Sequence, residues 1–224
     1  MEHTKFHLGI DDSGRGPVIG PMIIAGCLLN AKDEAELKKL GVKDSKQVHT
    51  NKRKILAEEI RKKALSYHVL VIYPNEIDSR GEIGLNLNKL EAIKMAEVIN
   101  NLNNGEKIKV YVDCPSPNIP VWKNFLMRYI DKKKNLIIHC EHKADVNHVS
   151  CSAASILAKE RREEEVEKIK KLIGSDFGSG YPADPITIKF LKENYSKHKP
   201  DGIFRETWGT IANHKKSKEQ KRLF

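Results

Sequence analysis

The sequence has only 4 cysteines, Cys27, Cys114, Cys140 and Cys151, and no two of them form a CxxC pair. A zinc site built on paired cysteines is therefore excluded, and thiols in or beside apolar runs are expected to be buried and reduced. HExxH is absent too, which leaves His139 and His142 as a weak zinc pair beside their plain reading as polar residues at a strand end. There is no GxxxxGK[ST], so a phosphate-binding loop of that class is ruled out. Gly14, Gly16 and Gly20 are spaced somewhat like a dinucleotide fingerprint, but Pro17 intervenes and the charge-free run VIGPMIIAGCLL follows. That run reads as a buried strand, whereas the fingerprint needs a helix opening directly after its glycines. No stretch is long and apolar enough to span a bilayer, and residues 1–10 lack a signal-peptide layout, so a cytoplasmic protein without a membrane partner is expected. Internal repeats and low-complexity linkers are also missing.

What is abundant is positive charge. Lys and Arg number 40 against 30 Asp and Glu, a formal net charge of +10 on 224 residues. Such a surface suits a polyanionic partner such as nucleic acid, although a lysine-rich surface can also be simply solvated.

The chain is organised around LGIDDSGRGPVIGP, residues 8–21. Phe6, Leu8 and Ile10 predict a strand that ends in Asp11 and Asp12 and passes into a turn containing Gly14, Arg15 and Gly16. Glycine there permits unusual backbone angles and close approach of a ligand, and Arg15 sets a cation beside the carboxylates. The same residues also make an ordinary solvated turn.

Strands and helices then alternate. A short helix is predicted over Asp33–Leu40, ending at Gly41, followed by a polar KDSK loop whose lysines include Lys46. A helix from Thr50 to about Ala64 should bury Ile55, Leu56 and Ile60, and Tyr67–Tyr73 reads as a strand stopped by Pro74. Residues 87–103 carry a broad apolar helical face with no assigned chemistry. Lys107–Val112 is a further strand ending in Asp113. After a helix around Val121–Ile130, the strand Leu136–Cys140 is followed by Glu141, His142, Lys143, Ala144 and Asp145. One long helix is expected over Val149–Leu172, its later half solvated and carrying Glu164–Lys168 and Glu167–Lys171 pairs. A loop presenting Tyr181, a helix over Pro185–Tyr195, a segment with Arg205, Trp208 and Ile211, and a basic, frayed tail complete the chain.

This alternation predicts an α/β sheet, in which sites gather at strand ends. Acids close three strands: Asp11 with Asp12, Asp113, and Asp145 after a short loop. Neighbouring Asp11 and Asp12 should point to opposite faces of a regular strand, so the turn must redirect one if both are to serve one site. Like charges brought together call for a cation, and oxygen-only ligands favour Mg²⁺ or Mn²⁺ over zinc. Two such ions can support phosphodiester cleavage, while unrelated caps and turns would account for the same acids.

GIDDSGRGPVIGP resembles the opening motif of type 2 ribonuclease H, usually GIDEAGRGPVxGP. The resemblance continues in family order through KDSK, VYVD ending at Asp113, EHKAD ending at Asp145, SAASILAK from Ser152 and GSGYPADP around Tyr181, and it is nearer to the archaeal and eukaryotic branch. It implies a ribonuclease H-like mixed sheet flanked by helices over residues 1–173, with a small helical C-terminal portion over 174–224. It implies hydrolysis of RNA in RNA/DNA hybrids and incision 5′ of single ribonucleotides in DNA, leaving 3′-hydroxyl and 5′-phosphate ends. By this resemblance Asp11, Asp12, Asp113 and Asp145 are the catalytic, metal-holding carboxylates. Gly14, Arg15 and Gly16 sense the ribose 2′-hydroxyl, Tyr181 packs on the sugar, and Lys46 and Lys143 contact phosphates. The chain departs from the family where Asp12 stands for Glu and Ser13 for Ala. Losing one methylene of reach predicts weakened catalysis with Mg²⁺ and relatively better activity with Mn²⁺, or, as an alternative, a protein that binds hybrids without cutting them. A monomer is expected. Gln220, Leu223 and Phe224 form part of a sliding-clamp-binding pattern, though their spacing is shorter than usual.

Overall fold

The computed structural model describes residues 4–42 and 50–220. Lys46 and the rest of the KDSK segment, like Leu223 and Phe224 of the clamp-type pattern, lie outside the described residues. The elements run β1 (Phe6–Ser13), β2 (Met22–Asn30), α1 (Ala31–Lys39), α2 (Thr50–Lys63), β3 (Ser66–Ile72), α3 (Pro74–Ser79), α4 (Leu87–Leu102) and β4 (Ile108–Asp113). They continue with α5 (Ile119–Leu126), β5 (Leu136–Glu141), α6 (Ala144–Asn147), α7 (Val149–Ile173), α8 (Pro185–His198) and α9 (Gly209–Gln220).

The sheet is mixed and five-stranded, in the order β3-β2-β1-β4-β5. β1 pairs antiparallel with β2, and β1, β4 and β5 are parallel, so the last residues of these three strands lie along one edge of the molecule. The β1–β4 register ends at Ile10–Val112, one residue before Asp11 and Asp113.

Strand alternation sorts the side chains onto two cores. Leu8 and Ile10 of β1, with Val110 and Val112 of β4, meet Met95, Val98 and Ile99 of α4. On the other face Ile23, Ala25 and Cys27 of β2 meet Ala153, Ala154 and Leu157 of α7. Helix α7 crosses β1 so closely that a Cβ at Gly9 would lie 2.0 Å from the Ser150 carbonyl carbon; only glycine fits there. A third cluster joins Val18, Ile19 and Val166 to Phe177, Phe190, Phe204 and Ile211. It seats the C-terminal segments against the loop that follows β1.

Several elements differ from the sequence reading. Pro74 does more than stop β3: it occupies the first turn of α3, where its missing N–H costs nothing. The helix expected over Val149–Leu172 is preceded by a separate turn, α6, and His148 between them is extended (φ −125°, ψ 126°). Helix α2 buries Leu56 and Ile60, but Ile55 is 63% exposed because the stripe follows i,i+4 spacing. On α7 Glu164 and Glu167 pair with Arg161 at 3.5 Å and Lys170 at 3.4 Å rather than with Lys168 and Lys171, and Arg161 and Lys168 each reach buried Glu165 at 2.8 Å. The tail is a helix as far as Gln220, with Ile211 buried and Lys215 bound to Glu206 at 2.6 Å. Among the described residues, no helix is long and apolar enough to cross a membrane.

Candidate active site

The acids reach the sheet edge by different routes. Asp11 and Asp12 both lie within β1, and the charge of Asp113 acts on both, so both stand at one site although neighbouring strand residues alternate. Asp11 is buried on the α7 side, where Ser155 of α7 hydrogen-bonds its carboxylate and the Asp12 N–H donates to it at 2.8 Å. The charged groups that act most strongly on half-buried Asp12 are Glu91 of α4 and Arg15.

Asp113 ends β4 and accepts the Ala144 N–H at 3.2 Å, which ties the strand end to the turn that carries Asp145. Lys143, immediately before that turn, is the one non-glycine residue with positive φ among the described residues (60°). This left-handed corner lets the chain reverse after β5 and places buried Asp145 behind it, with Lys143 exposed. Glu141 steadies the corner by accepting from Asn147 at 2.9 Å and pairing with His148 at 3.0 Å. Buried Cys151 of α7 feels the charges of Asp11, Asp113 and Asp145 together, so these three converge around the first turns of α7.

The carboxylates are held where charge is disfavoured. Burial, followed by the charges of Asp12 and Asp113, raises the Asp11 pKa well above its ordinary value. Burial and the charge of Glu91 push Asp12 up to about 7, against the opposing pull of Arg15. Without a cation these acids favour a proton; a cation among them restores the ionised form. The donors are all oxygen, the chemistry Mg²⁺ and Mn²⁺ prefer. No three His, Cys, Asp or Glu side chains among the described residues form a ready-made cage. Mg²⁺ does not require one, because it keeps several waters and takes one or two carboxylates along with substrate phosphate. The residues therefore fit such an ion.

Beside the carboxylates stands the Gly14–Gly16 loop. Gly14 has φ +83°, and a Cβ on it would come within 2.6 Å of Arg162 Cδ and 2.9 Å of the Pro21 carbonyl oxygen. Arg15 reaches α4, where it binds the Asn88 side-chain oxygen and forms an ion pair with Glu91 at 3.0 Å. Tyr181 lies over the loop: a Cβ at Gly16 would sit 3.4 Å from its ring, and the Arg162 guanidinium is 4.9 Å from the ring centre. The ring is 38% exposed and is held in place because the Val18 N–H donates to the Gly180 carbonyl at 2.8 Å. A cleft of about 510 Å³ opens next to the loop between Arg15, Gly16, Arg80 and Trp208.

Three residues at this site escaped the sequence reading: Glu91, Asn88 and Arg205. Glu91 had a detectable signal, a carboxylate four residues from both Leu87 and Met95 on an otherwise apolar helix face. Arg205 had none, since its partners are distant carbonyls. The His139–His142 pair does not form. His142 Nδ1 lies 2.9 Å from the Cys114 carbonyl oxygen, and His139 stacks on Tyr111 at 5.6 Å.

A family model described as ribonuclease HII matches residues 8–211. The ribonuclease HII of Pyrococcus furiosus is 40% identical over 215 residues, covering 96% of this chain and 93% of that protein. The crystal structure of the ribonuclease H2 from Pyrococcus horikoshii superposes with a TM-score of 0.84 at 37% identity, covering 95% of this chain and 98% of that one. The ribonuclease HII of Archaeoglobus fulgidus, solved as a complex with PCNA, gives a TM-score of 0.80 at 38% identity, covering 91% of this chain and 95% of that one.

Proposed function

Since this chain belongs to the ribonuclease HII family and is an endoribonuclease of the ribonuclease H type, we propose that it cleaves RNA in RNA/DNA hybrids and also incises duplex DNA on the 5′ side of a single embedded ribonucleotide. Water adds to the phosphorus and the upstream O3′ leaves, giving a 3′-hydroxyl on the upstream strand and a 5′-phosphate on the ribonucleotide. The observation that carries this reading is the convergence of Asp11, Asp113 and Asp145 around Cys151 at the start of α7, beside a glycine loop.

In this reading Asp11, Asp12, Asp113 and Asp145 hold one or two divalent cations, Mg²⁺ or Mn²⁺. When bound, these supply charge stabilisation to the phosphodiester as it is cleaved. The main chain of Gly14, Arg15 and Gly16 meets the ribose 2′-hydroxyl, the group that distinguishes RNA from DNA. Tyr181 lies against the sugar and so fixes the position of the junction relative to the acids. Exposed Lys143 and, from the KDSK segment, Lys46 contact phosphates. The +10 charge supports a polyanionic substrate. We take residues 174–224 to serve as an extension of the 1–173 catalytic unit, in keeping with the cluster that joins Phe177 and Phe190 to Val18 and Ile19. A sliding clamp is the partner proposed for Gln220, Leu223 and Phe224, in keeping with the Archaeoglobus fulgidus relative solved with PCNA. Deletion of residues 217–224 should then abolish clamp association.

The test is incision of two substrates, a long hybrid and a DNA duplex with one ribonucleotide, each with Mg²⁺ and with Mn²⁺. Cleavage of both, mapped 5′ of the ribonucleotide in the second, is expected. Tight, salt-sensitive binding without cleavage under either metal would overturn the catalytic reading in favour of a hybrid-binding protein.

A further inference from the structure

Arg205 is an arginine with no exposed surface, and it spends its guanidinium on the main chain. Its Nη2 donates to the Gly14 carbonyl at 2.6 Å, Nη1 to the Arg15 carbonyl at 2.9 Å and Nε to the Gly20 carbonyl at 2.9 Å. Trp208, three residues on, donates its Nε1–H to the Gly16 carbonyl at 3.3 Å. Every carbonyl of the Gly14–Gly16 loop is thus taken by one short C-terminal segment. That segment is itself anchored by the Arg205 N–H, which donates to the Val18 carbonyl at 2.9 Å.

A planar trans peptide carries its N–H antiparallel to its C=O, and the described residues contain no cis peptide. Anchoring the Gly14 and Arg15 carbonyls on Arg205 therefore turns the N–H groups of Arg15 and Gly16 to the opposite side of the loop. The next residue, Pro17, has no N–H to offer. The loop is left with two donors of fixed direction, and a ribose hydroxyl can accept from such a donor where a deoxyribose cannot. Placing an arginine wholly out of water is costly. Burial lowers the Arg205 pKa to about 9, which still leaves it charged at neutral pH.

We propose that Arg205 is a positioning residue for sugar discrimination: by holding the Gly14 and Arg15 carbonyls it aims the Arg15 and Gly16 amides at the 2′-hydroxyl of the substrate. The inference rests on the proposed reading of that loop as the ribose sensor. The aim of the amides, rather than the presence of the Gly-Arg-Gly sequence, then sets the preference for ribose.

The experiment measures equilibrium binding, with Ca²⁺ as the added cation, of a DNA duplex with one ribonucleotide and of the same duplex in all-DNA form. The wild type should prefer the first. Arg205→Lys, which keeps the charge but cannot reach three carbonyls at once, should lose about tenfold of that ratio, with all-DNA affinity little changed. A merely structural role would lower the melting temperature and weaken both duplexes equally. If Arg205→Lys folds and keeps the wild-type ratio, the inference is overturned. Should Arg205→Lys fail to fold, Arg205→Gln decides: being neutral it buries no charge, and it cannot hold the Gly14 and Arg15 carbonyls together, so the expected result is a ratio lowered about tenfold, whereas an unchanged ratio in the folded variant overturns the inference. A wild type with no preference at all would defeat the reading of the loop itself. Selectivity that survives the Arg205 substitutions would defeat only the present step.

Discussion

The Arg15 guanidinium lies 3.0 Å from the carboxylate of Glu91, a side chain with no solvent exposure at all. The pair links the glycine loop after β1 to the middle of the opposite helix layer. Burial raises the Glu91 pKa to about 7, and the charges of Arg15 and Arg205 oppose that shift. Glu91 in turn is the strongest charged influence raising Asp12. One buried acid therefore conditions both the loop and Asp12.

Replacing Glu91 by Gln keeps the shape and removes the charge. Arg15 is more than a third exposed, so the stability loss should be modest, about 1 kcal/mol. The effect on substrate should be larger: Arg15 loses its anchor, and kcat/KM on single-ribonucleotide duplexes should fall several-fold. Steady-state kinetics alongside thermal melting check this, and an unaltered kcat/KM would show that the pair is irrelevant to the loop.

Asp12 carries the shorter of the two possible acid side chains. Asp12→Glu should raise activity with Mg²⁺ more than with Mn²⁺, because Mg²⁺ tolerates distorted geometry poorly. The ratio of rates with the two metals, measured for both proteins, decides it; equal ratios would remove the argument.

The acids also predict a pH dependence. In the folded, metal-free protein Asp12 titrates at about 7 against an ordinary 3.8, so the folded state binds more protons than the unfolded one between those values. Its contribution to stability is intact below about 3.8 and is lost as pH rises through about 7. Asp12→Asn should therefore gain melting temperature relative to wild type on going from pH 5 to pH 8 in chelator. Added Mg²⁺ should raise the wild-type melting temperature more at pH 8 than at pH 5. A gap between variant and wild type that is the same at both pH values would contradict the electrostatic picture.

At Gly9 the fold itself can be tested. A Cβ there meets the Ser150 backbone at 2.0 Å, and neither β1 nor α7 can move without disturbing Asp11. Gly9→Ala should cost about 3 kcal/mol or more in denaturant unfolding. A loss below about 1 kcal/mol would mean that α7 is free to shift.

Much of the site was legible because its acids end apolar runs, and an apolar run followed by Asp is visible without neighbours. This found β1 with Asp11 and Asp12, and β4 with Asp113. The left-handed turn at Lys143 was invisible: lysine carries no preference for that conformation, and the turn exists because the surrounding structure imposes it. The start of the long helix at Val149 was legible, whereas the short turn α6 before it was not, since no glycine or proline marks it. Glu91 could have been found from its place on the apolar face of α4. Arg205 could not, because carbonyls more than 180 residues away along the chain define its role.

The central claim is that acids from separate strands act as one centre. It is tested most directly by incision of a single-ribonucleotide duplex under single-turnover conditions by wild type, Asp11→Asn and Asp113→Asn, each with saturating Mg²⁺ or Mn²⁺. A 5′-side cut by the wild type is expected, with a loss of about a thousandfold or more in each variant and duplex binding retained. Either variant cutting at near the wild-type rate would contradict it.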